Sequence, residues 1–150
     1  MSNYLNPGLP APVPARDGLD APYWEAAQNH ELWVQKCDDC GKHQWGPEWM
    51  CHHCRSFDVG WAKVDPSGVI YSWERPHHPV HPALAEQGPY LVVLVELPHV
   101  DGLRMIGNLL GDPLQEVVIG APVSVVFEDH EASGGTDGHP AFTLVQWQVS

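Results

Sequence analysis

The stretch Cys37–Cys54, CDDCGKHQWGPEWMCHHC, contains all four cysteines of the 150-residue chain. They form two Cys-x-x-Cys pairs, Cys37 with Cys40 and Cys51 with Cys54, and ten residues separate the pairs. In each pair a tight turn directs two sulfur atoms to one point, so two facing pairs supply the four thiolates of a tetrahedral Zn²⁺ site. The spacing therefore predicts a zinc ribbon that binds one structural Zn²⁺ ion per chain.

The same window is compatible with other ligands and metals. Iron in a rubredoxin-like centre uses the same four sulfur ligands, and four free buried thiols are the alternative without a metal. His43, His52 and His53 could replace a cysteine, but a side chain within the turn of the second pair points away from the metal. We therefore expect His52 and His53 to face solvent. Because four thiolates leave no coordination position for a substrate, the metal is predicted to stabilise the hairpins rather than to catalyse a reaction.

The residues before the cysteines predict an arm and a short helix. Residues 1–19 include four prolines and predict an extended arm, either disordered alone or laid on a partner; a loose tail is the alternative. Asp20 is a suitable N-cap for a helix over residues 22–30. Three residues at helical spacing share an apolar face of this helix, which has to be buried against the chain itself or another subunit. They are Tyr23, Trp24 and Ala27.

The rest of the chain is strand-rich, which predicts a mainly β protein. A strand over residues 31–36 leads into the first cysteine pair. After the second pair, strand patterns separated by turn signals cover residues 57–64, 69–74, 90–97, 103–109, 121–127 and 141–149. The nearly continuous apolar run over 90–97 predicts a strand buried on both faces.

Five or so short strands behind a cysteine cluster are typical of a small Greek-key barrel of OB type. We therefore expect an arm over residues 1–19, a short helix with a rubredoxin-like zinc ribbon over 20–56, and a five-stranded OB-fold barrel over 57–150.

The charge balance argues against nucleic acid and membrane surfaces as partners. The chain has 19 acidic and 7 basic residues, a net charge of −12, which repels phosphate backbones and anionic lipid. A single-stranded nucleic-acid module stays as the alternative, because ribbons and OB barrels serve that role and Tyr71 and Trp73 could stack on bases. There is no recognisable signal peptide or long apolar run, so we expect a cytoplasmic protein with reduced thiols.

Two further groups of residues have both a functional and a structural interpretation. Trp33, Trp45 and Trp49 surround the cysteine window and either shield the metal or anchor an interface. The histidines of the segment HHPVH, residues 77–81, either bind a second metal or belong to a loop that packs on the barrel or a partner. Glu74 and Glu96 are expected on a solvated strand face. No nucleophile elbow, Walker loop or dinucleotide fingerprint is present, so we predict no catalytic residue.

Taken together, the motifs resemble a family of short proteins that join a rubredoxin-like zinc ribbon to an OB-fold, catalogued as domain of unknown function 35. The resemblance covers about residues 20–148. One departure is the second cysteine pair, Cys-His-His-Cys-Arg at 51–55, where the family commonly has Cys-Pro-x-Cys-Gly. The residues that carry the resemblance are Tyr23–Glu25, both cysteine pairs with Pro47 between them, Gly68–Trp73, Pro89–Val92, Val95–Leu97, Met105–Leu109, Ile119–Gly120 and Val123–Glu128.

The resemblance implies an accessory subunit rather than an independent enzyme. Members of the family associate with thiolase-superfamily proteins that act on CoA thioesters, among them thiolases, an acyltransferase and retro-aldolases. The partner carries the catalytic groups, while the small protein shapes the acyl-CoA site. The segments WERPHHPVHPAL and FTLVQW look most like the branch associated with steroid side-chain aldolases, whose partner is lipid-transfer-protein-like. A hetero-oligomer is expected, with aromatic and histidine side chains at the interface: Tyr23, Trp24, Trp33, Trp45, Trp49, His77, His78 and His81.

Two further functions are weighed against this one. A rubredoxin-type electron carrier would need iron at the four cysteines, and a free-standing enzyme would act through the histidines of residues 77–81.

Overall fold

The computed structural model describes Tyr4 and residues 8–15, 17–78, 80–136 and 138–150. These residues form a mainly β protein with a short helix, as the sequence predicts. The elements are α1 (Ala21–Gln28), β1 (Leu32–Cys37), β2 (His43–Gln44), β3 (Val59–Val64), β4 (Ser67–Glu74), a 3₁₀ turn (Pro82–Leu84), β5 (Val92–Leu97), β6 (Leu103–Asn108), β7 (Pro122–His130) and β8 (Phe142–Val149).

Helix α1 buries the face that the sequence predicts, and Asp20 precedes it without a side-chain capping bond. Tyr23 and Ala27 are buried, and Trp24 is half-buried against the same core. Asp20 occupies the N-cap position without a side-chain bond to a helix amide. Its carboxylate instead accepts a hydrogen bond of 2.8 Å from the indole Nε1 of Trp24. The N-cap position is therefore predicted correctly, whereas the expected side-chain bond to a helix amide is not formed.

The ribbon is built on a three-stranded antiparallel sheet in the order β2-β1-β3. β3 pairs with β1 along its whole length, from Leu32 opposite Val64 to Cys37 opposite Val59. β3 lies just after the predicted boundary between residues 56 and 57, and its ladder hydrogen bonds go to the ribbon strand. The domain boundaries stay a prediction, since strand propensity does not reveal the partner with which a strand pairs.

The remaining strands form a five-stranded antiparallel sheet in the order β6-β5-β4-β7-β8. Its two outer strands meet through a parallel bridge between Leu109 and Trp147, where the Leu110 amide donates to the Trp147 carbonyl at 2.8 Å. The sheet therefore curls into a nearly closed barrel, which confirms the predicted OB-type fold. The buried Trp147 lies in the core cluster that fills the barrel.

The prediction that β5 is buried on both faces is wrong. Val93, Val95 and Leu97 are buried, whereas the alternate residues Val92 and Leu94 are half-buried. A small barrel is filled from the inner face of each strand, so the apolar residues of the outer face have no layer of the barrel to cover them.

In the described part of the N-terminal arm, Tyr4 contacts the barrel. The backbone N–H of Tyr4 donates to Glu128 Oε2 at 2.8 Å, and the Tyr4 ring meets the Tyr90 ring edge-on with centroids 6.3 Å apart. At this point the arm lies on its own chain. The predictions for residues 1–3, 5–7 and 16 fall outside the described residues.

Candidate metal centre

The four cysteine sulfurs converge on one point between two tight turns. All four Sγ atoms lie within 4.8 Å of one another, with Cys37 Sγ 3.6 Å from Cys54 Sγ and Cys40 Sγ 3.7 Å from Cys51 Sγ. A tetrahedral Zn²⁺ with Zn–S bonds of about 2.3 Å requires sulfur separations of about 3.8 Å. The residues therefore fit a zinc ion, and all four cysteines would be its ligands.

Each pair of cysteines lies in a turn with the same hydrogen-bond pattern. In the first knuckle (residues 37–42), the Gly41 amide donates to the Cys37 carbonyl at 2.9 Å, and in the second knuckle (51–56) the Arg55 amide donates to the Cys51 carbonyl at 3.0 Å. In each knuckle, the residue that follows the second cysteine has a positive φ, 71° at Gly41 and 64° at Arg55. The second knuckle thus keeps the geometry of the first although it lacks the glycine.

Backbone amides and neighbouring thiols shift the acidity of the sulfurs. The N–H groups of Cys54 and His53 lower the pKa of the Cys51 thiol to about 6, against the opposing effect of burial. Although the Ser56 amide lowers the pKa of Cys54, burial and the other three thiols together raise it to about 12. Four thiols this close cannot all ionise without a cation, and a coordinated metal removes their protons.

A pair of buried glutamines holds the loop between the knuckles against the ribbon sheet. Gln35 Oε1 accepts hydrogen bonds from Gln44 Nε2 at 2.8 Å and from the Glu48 amide at 2.9 Å, while Gln35 Nε2 donates to the Glu48 carbonyl at 3.0 Å. Gln44 Oε1 in turn accepts from the His52 amide at 2.8 Å. Sequence reasoning missed both residues, because nothing in the local pattern indicates that two glutamines nine positions apart meet.

A barrel carboxylate bonds to the first knuckle. Asp101, in the turn between β5 and β6, accepts hydrogen bonds from the His43 amide at 3.0 Å, His43 Nδ1 at 2.9 Å and Lys42 Nζ at 3.1 Å. The His43 amide and ring and the Lys42 ammonium hold the pKa of Asp101 well below its usual range. His43 is thereby engaged with the barrel instead of the metal site. Asp101 was also missed, since its partners lie 58 and 59 residues away in the sequence.

No side chain of the histidines considered as metal ligands belongs to the converging group of sulfurs. His52 and His53 are exposed, as expected, and so are His77 and His78. His81 Nδ1 accepts a hydrogen bond from the Ala83 amide at 3.1 Å and so caps the 3₁₀ turn. Among the described residues, the four cysteines form the one group of three or more potential ligands that converges on a point, and the second metal over 77–81 finds no support there.

The tryptophans around the cysteine window differ in their environments. Trp45 packs on the core cluster, with its ring 4.7 Å from that of Tyr23. Trp33 is half-buried and donates from Nε1 to Glu31 Oε2 at 2.8 Å. Trp49 is 72% exposed, and Phe57, which sequence reasoning did not single out, is 78% exposed. The core thus includes contributions from Tyr23, Trp24 and Trp45. An interface role stays a prediction for these three residues, for Trp33 and Trp49, and for the histidines.

In the described part of the chain, no helix combines the length and the apolar composition that crossing a bilayer requires.

Comparison with known families matches both parts of the chain. Residues 24–60 match the family described as "ChsH2, rubredoxin-like zinc ribbon domain", and residues 61–128 match "ChsH2, C-terminal OB-fold domain".

Two curated relatives are longer proteins. The chain is 38% identical over 112 residues to a probable enoyl-CoA hydratase alpha subunit of Thermomonospora curvata, an alignment that covers 75% of this chain and 34% of the relative. It is 28% identical over 126 residues to the 3-oxo-4,17-pregnadiene-20-carboxyl-CoA hydratase alpha subunit of Mycobacterium tuberculosis, covering 84% and 36%. The chain thus spans about a third of the length of these relatives.

Two solved structures share the fold. A chain of the structure titled "Ltp2-ChsH2(DUF35) aldolase" has a TM-score of 0.70 and 32% identity, with 91% of this chain and 98% of that chain covered. A DUF35 protein of unknown function from Sulfolobus solfataricus has a TM-score of 0.58 and 14% identity, with coverage of 89% and 87%, a similarity that concerns the fold alone. The four sulfurs converge, the barrel is nearly closed, and both domains of ChsH2 match the chain. The chain therefore belongs to the ChsH2-like DUF35 family of zinc-ribbon and OB-fold proteins.

Proposed function

We propose that this chain is a non-catalytic accessory subunit of a thiolase-like enzyme that acts on CoA thioesters. The observation that carries the proposal is the 32% identity, over nearly the whole of both chains, to the DUF35 chain of an aldolase that also contains Ltp2. The names of the two curated relatives, both hydratase alpha subunits, also describe subunits of larger enzymes. In this proposal a thiolase-superfamily partner supplies the reacting groups, and the two chains form a hetero-oligomer.

The chemistry of the metal centre supports a scaffolding role. Four thiolates fill the coordination sphere of Zn²⁺, so the ion has no open position for water or substrate. Zinc bound in this way contributes to folding, because it crosslinks two turns that bury little surface of their own. The role of the ribbon in the complex would be to present a rigid surface to the partner.

The proposed reaction is cleavage of a carbon–carbon bond in an acyl-CoA, by a retro-aldol or thiolytic route, in the degradation of a steroid side chain. Two relatives support this substrate class: the solved structure is an aldolase by its name, and the Mycobacterium tuberculosis relative is named for a pregnadiene-carboxyl-CoA. The chain would shape the acyl-CoA site and stabilise the complex, with the CoA thioester bound by the assembly in the cytoplasm. Since the chain has a net charge of −12, the basic groups that bind the CoA phosphates would come from the partner.

The alternative of a single-stranded nucleic-acid module finds little support in the basic side chains. Four of the six that lie within the described residues are already engaged: Lys42 with Asp101, Lys63 with Glu31, Arg104 with Glu96, and Arg75 with two loop carbonyls. A groove for single strands instead needs free cations along its length. The role of an accessory subunit that binds a protein partner is therefore better supported than the role of a nucleic-acid module.

Co-expression tests the proposal. The chain is produced together with each thiolase-superfamily protein encoded in its source genome, and each pair is passed over a size-exclusion column with light scattering. We expect one pair to elute as a single peak that contains both chains, and only that complex to cleave acyl-CoA substrates. Separate elution of every pair at micromolar concentration would contradict the proposal, as would acyl-CoA cleavage by the purified chain alone.

A further inference from the structure

One outer face of the barrel, formed by three neighbouring strands, presents apolar side chains on β5 and β6. Leu94 of β5 lies opposite Ile106 of β6 and opposite Ser72 of β4. The next outward position of β5 is Val92, opposite Glu74 of β4. We call this surface the β4–β6 face; it consists of Tyr71, Ser72, Glu74, Val92, Leu94, Glu96, Arg104 and Ile106.

An irregularity in β4 adds an aromatic ring to this face. The register between β4 and β5 shifts between Ile70 and Ser72, which leaves Tyr71 as an extra residue, as in a β-bulge. The guanidinium of Arg104 on β6 reaches across β5 and lies 3.6 Å from the centroid of the Tyr71 ring, so the ring is on the outer side. Arg104 Nε also donates to Glu96 Oε2 at 3.0 Å.

The β4–β6 face is more exposed than the outer face of β7 and β8, although Val92 and Leu94 are half-buried. On β7 and β8, Glu128 is 5% and Phe142 is 1% exposed. Tyr4 and His130 bond to Glu128, and the rings of His130 and His139 pack against Phe142. On the β4–β6 face, Ile106 is 71% and Tyr71 is 45% exposed. The chain therefore buries one outer side of its barrel and leaves an apolar surface on the other, as proteins do at interaction sites.

The charges on this face indicate the chemistry of the partner. The one cation of the face, Arg104, is neutralised by Glu96 at the rim. Glu74 is exposed and, among the described residues, makes no ion pair. Residues 57–150 contain 12 acids and 3 bases, a net charge of 3 − 12 = −9. A phosphate backbone would be repelled, whereas a protein surface with an apolar centre and a basic rim would be complementary.

We infer that the β4–β6 face is the surface on which the barrel docks against the thiolase-like partner, with an apolar side chain of the partner seated on Ile106 and Leu94 and a basic side chain facing Glu74. This inference rests on the proposed function and adds the surface and the complementary chemistry of the partner to it.

The test compares matched variants in binding to the thiolase-like subunit that co-elutes with the wild-type chain. Ile106→Asp places a charge at the centre of the face and should weaken the affinity at least tenfold, the size of a hot-spot effect. Glu74→Lys should weaken it as well, by an amount that falls as salt is added. Leu114→Asp is the control, since Leu114 is 66% exposed on the loop between β6 and β7, outside the face. Thermal unfolding of each variant verifies that it folds.

The outcomes separate the inference from the proposed function. If the wild-type chain binds and Ile106→Asp and Glu74→Lys bind equally well, the inference is overturned while the accessory role stands. The inference is also overturned if Leu114→Asp alone abolishes binding, or if Ile106→Asp only converts a dimer of this chain to a monomer. If the wild-type chain binds no thiolase-like protein, the proposed function fails and the inference fails with it.

Discussion

The residue that follows each cysteine pair takes the same backbone conformation in both knuckles, although only one of these residues is glycine. Gly41 has a φ of 71° and Arg55 a φ of 64°. The left-handed region costs a residue with a Cβ about 1–2 kcal/mol, a cost that glycine avoids. The second knuckle thus holds Arg55 in a strained conformation that the convergence of the four sulfurs imposes.

Arg55→Gly is therefore expected to stabilise the zinc-bound chain. Relief of the left-handed strain contributes about 1–2 kcal/mol, while the greater freedom of glycine in the unfolded chain subtracts about 0.4–1 kcal/mol. We expect a net gain of about 0.5–1 kcal/mol, measured by urea unfolding with zinc present. The reciprocal variant Gly41→Ala should lose stability through strain rather than a clash, since no atom beyond the neighbouring residues of the chain lies within 4 Å of the added Cβ. A loss of stability in Arg55→Gly would mean that the arginine side chain contributes an interaction of its own.

Gln35 should be as important to the ribbon as a core apolar residue. Gln35→Leu keeps the volume but leaves the Glu48 amide and carbonyl and the Gln44 side chain without their bonds to Gln35. Each buried polar group that loses its partner costs about 1–3 kcal/mol, so we expect a loss of about 2–4 kcal/mol in urea unfolding. Gln148→Leu, at an exposed position of β8, should change stability by less than about 0.5 kcal/mol. Equal effects of the two variants would contradict the proposed role of the buried network.

The metal ligands could be predicted from the sequence, whereas the residues that support them could not. Two Cys-x-x-Cys pairs are a local pattern, because the turn within each pair fixes where both sulfurs point. Gln35 and Asp101 depend on which strands and turns meet in three dimensions. The same difference explains Asp20, whose local N-cap signal is correct in position but whose carboxylate is taken by Trp24.

At the level of elements, the turn between β5 and β6 is bonded to the first knuckle through Asp101. The carboxylate accepts two bonds from His43 and one from Lys42, and its own φ of 53° is one that aspartate and asparagine tolerate better than other residues. This contact joins a barrel hairpin to the ribbon, and its strength depends on the charge of Asp101.

The stabilisation that Asp101 provides should depend on pH. The bonds from the His43 amide, the His43 ring and Lys42 lower the pKa of Asp101 in the folded chain, so the unfolded chain binds this proton more readily. The contribution is therefore complete above the unfolded pKa of about 3.9 and is lost as the pH falls towards the folded pKa.

Asp101→Asn preserves the backbone conformation and removes the charge. We expect the wild-type chain to be more stable than the variant at pH 6, and the difference to shrink at pH 3.5, as measured by urea midpoints. Zinc content is measured at each pH, and only points at which both chains retain zinc are compared, because loss of the metal would also release Lys42 and His43 from Asp101. A difference that stayed constant or grew as the pH fell would contradict this role of Asp101.

The strands show which parts of a fold the sequence pattern determines. Alternation and turn signals locate the barrel strands, because both are properties of neighbouring residues. The pattern does not distinguish an outward-facing apolar residue from an inward-facing one. Because Leu94 is apolar, the sequence therefore predicted that β5 is buried on both faces. It also does not specify pairing, and β3 was therefore not recognised as the partner of β1.

The ribbon and the barrel share one core in the whole molecule. Leu32 and Val34 of β1 belong to the same buried cluster as Val93, Val95 and Trp147 of the barrel. Apart from Trp45, which packs on this cluster, the knuckles and the loop between them lie outside it, and they expose large side chains such as Trp49. Hydrophobic burial can therefore hold the barrel with β1, whereas the knuckles depend on the metal, the glutamine network and the bonds to Asp101.

Removal of zinc should consequently unfold the knuckles and spare the barrel. Elemental analysis is expected to give one zinc per chain, and dialysis against a chelator to release it. Hydrogen exchange should then show loss of protection at the turn amides of Gly41 and Arg55, which bond within the knuckles, while the amides of Val93 and Val95 stay protected in β5. Re-addition of zinc should restore protection. A metal-free chain with fully protected knuckles would show that zinc is not what holds the ribbon, and loss of protection throughout β5 would show that the barrel cannot fold without it.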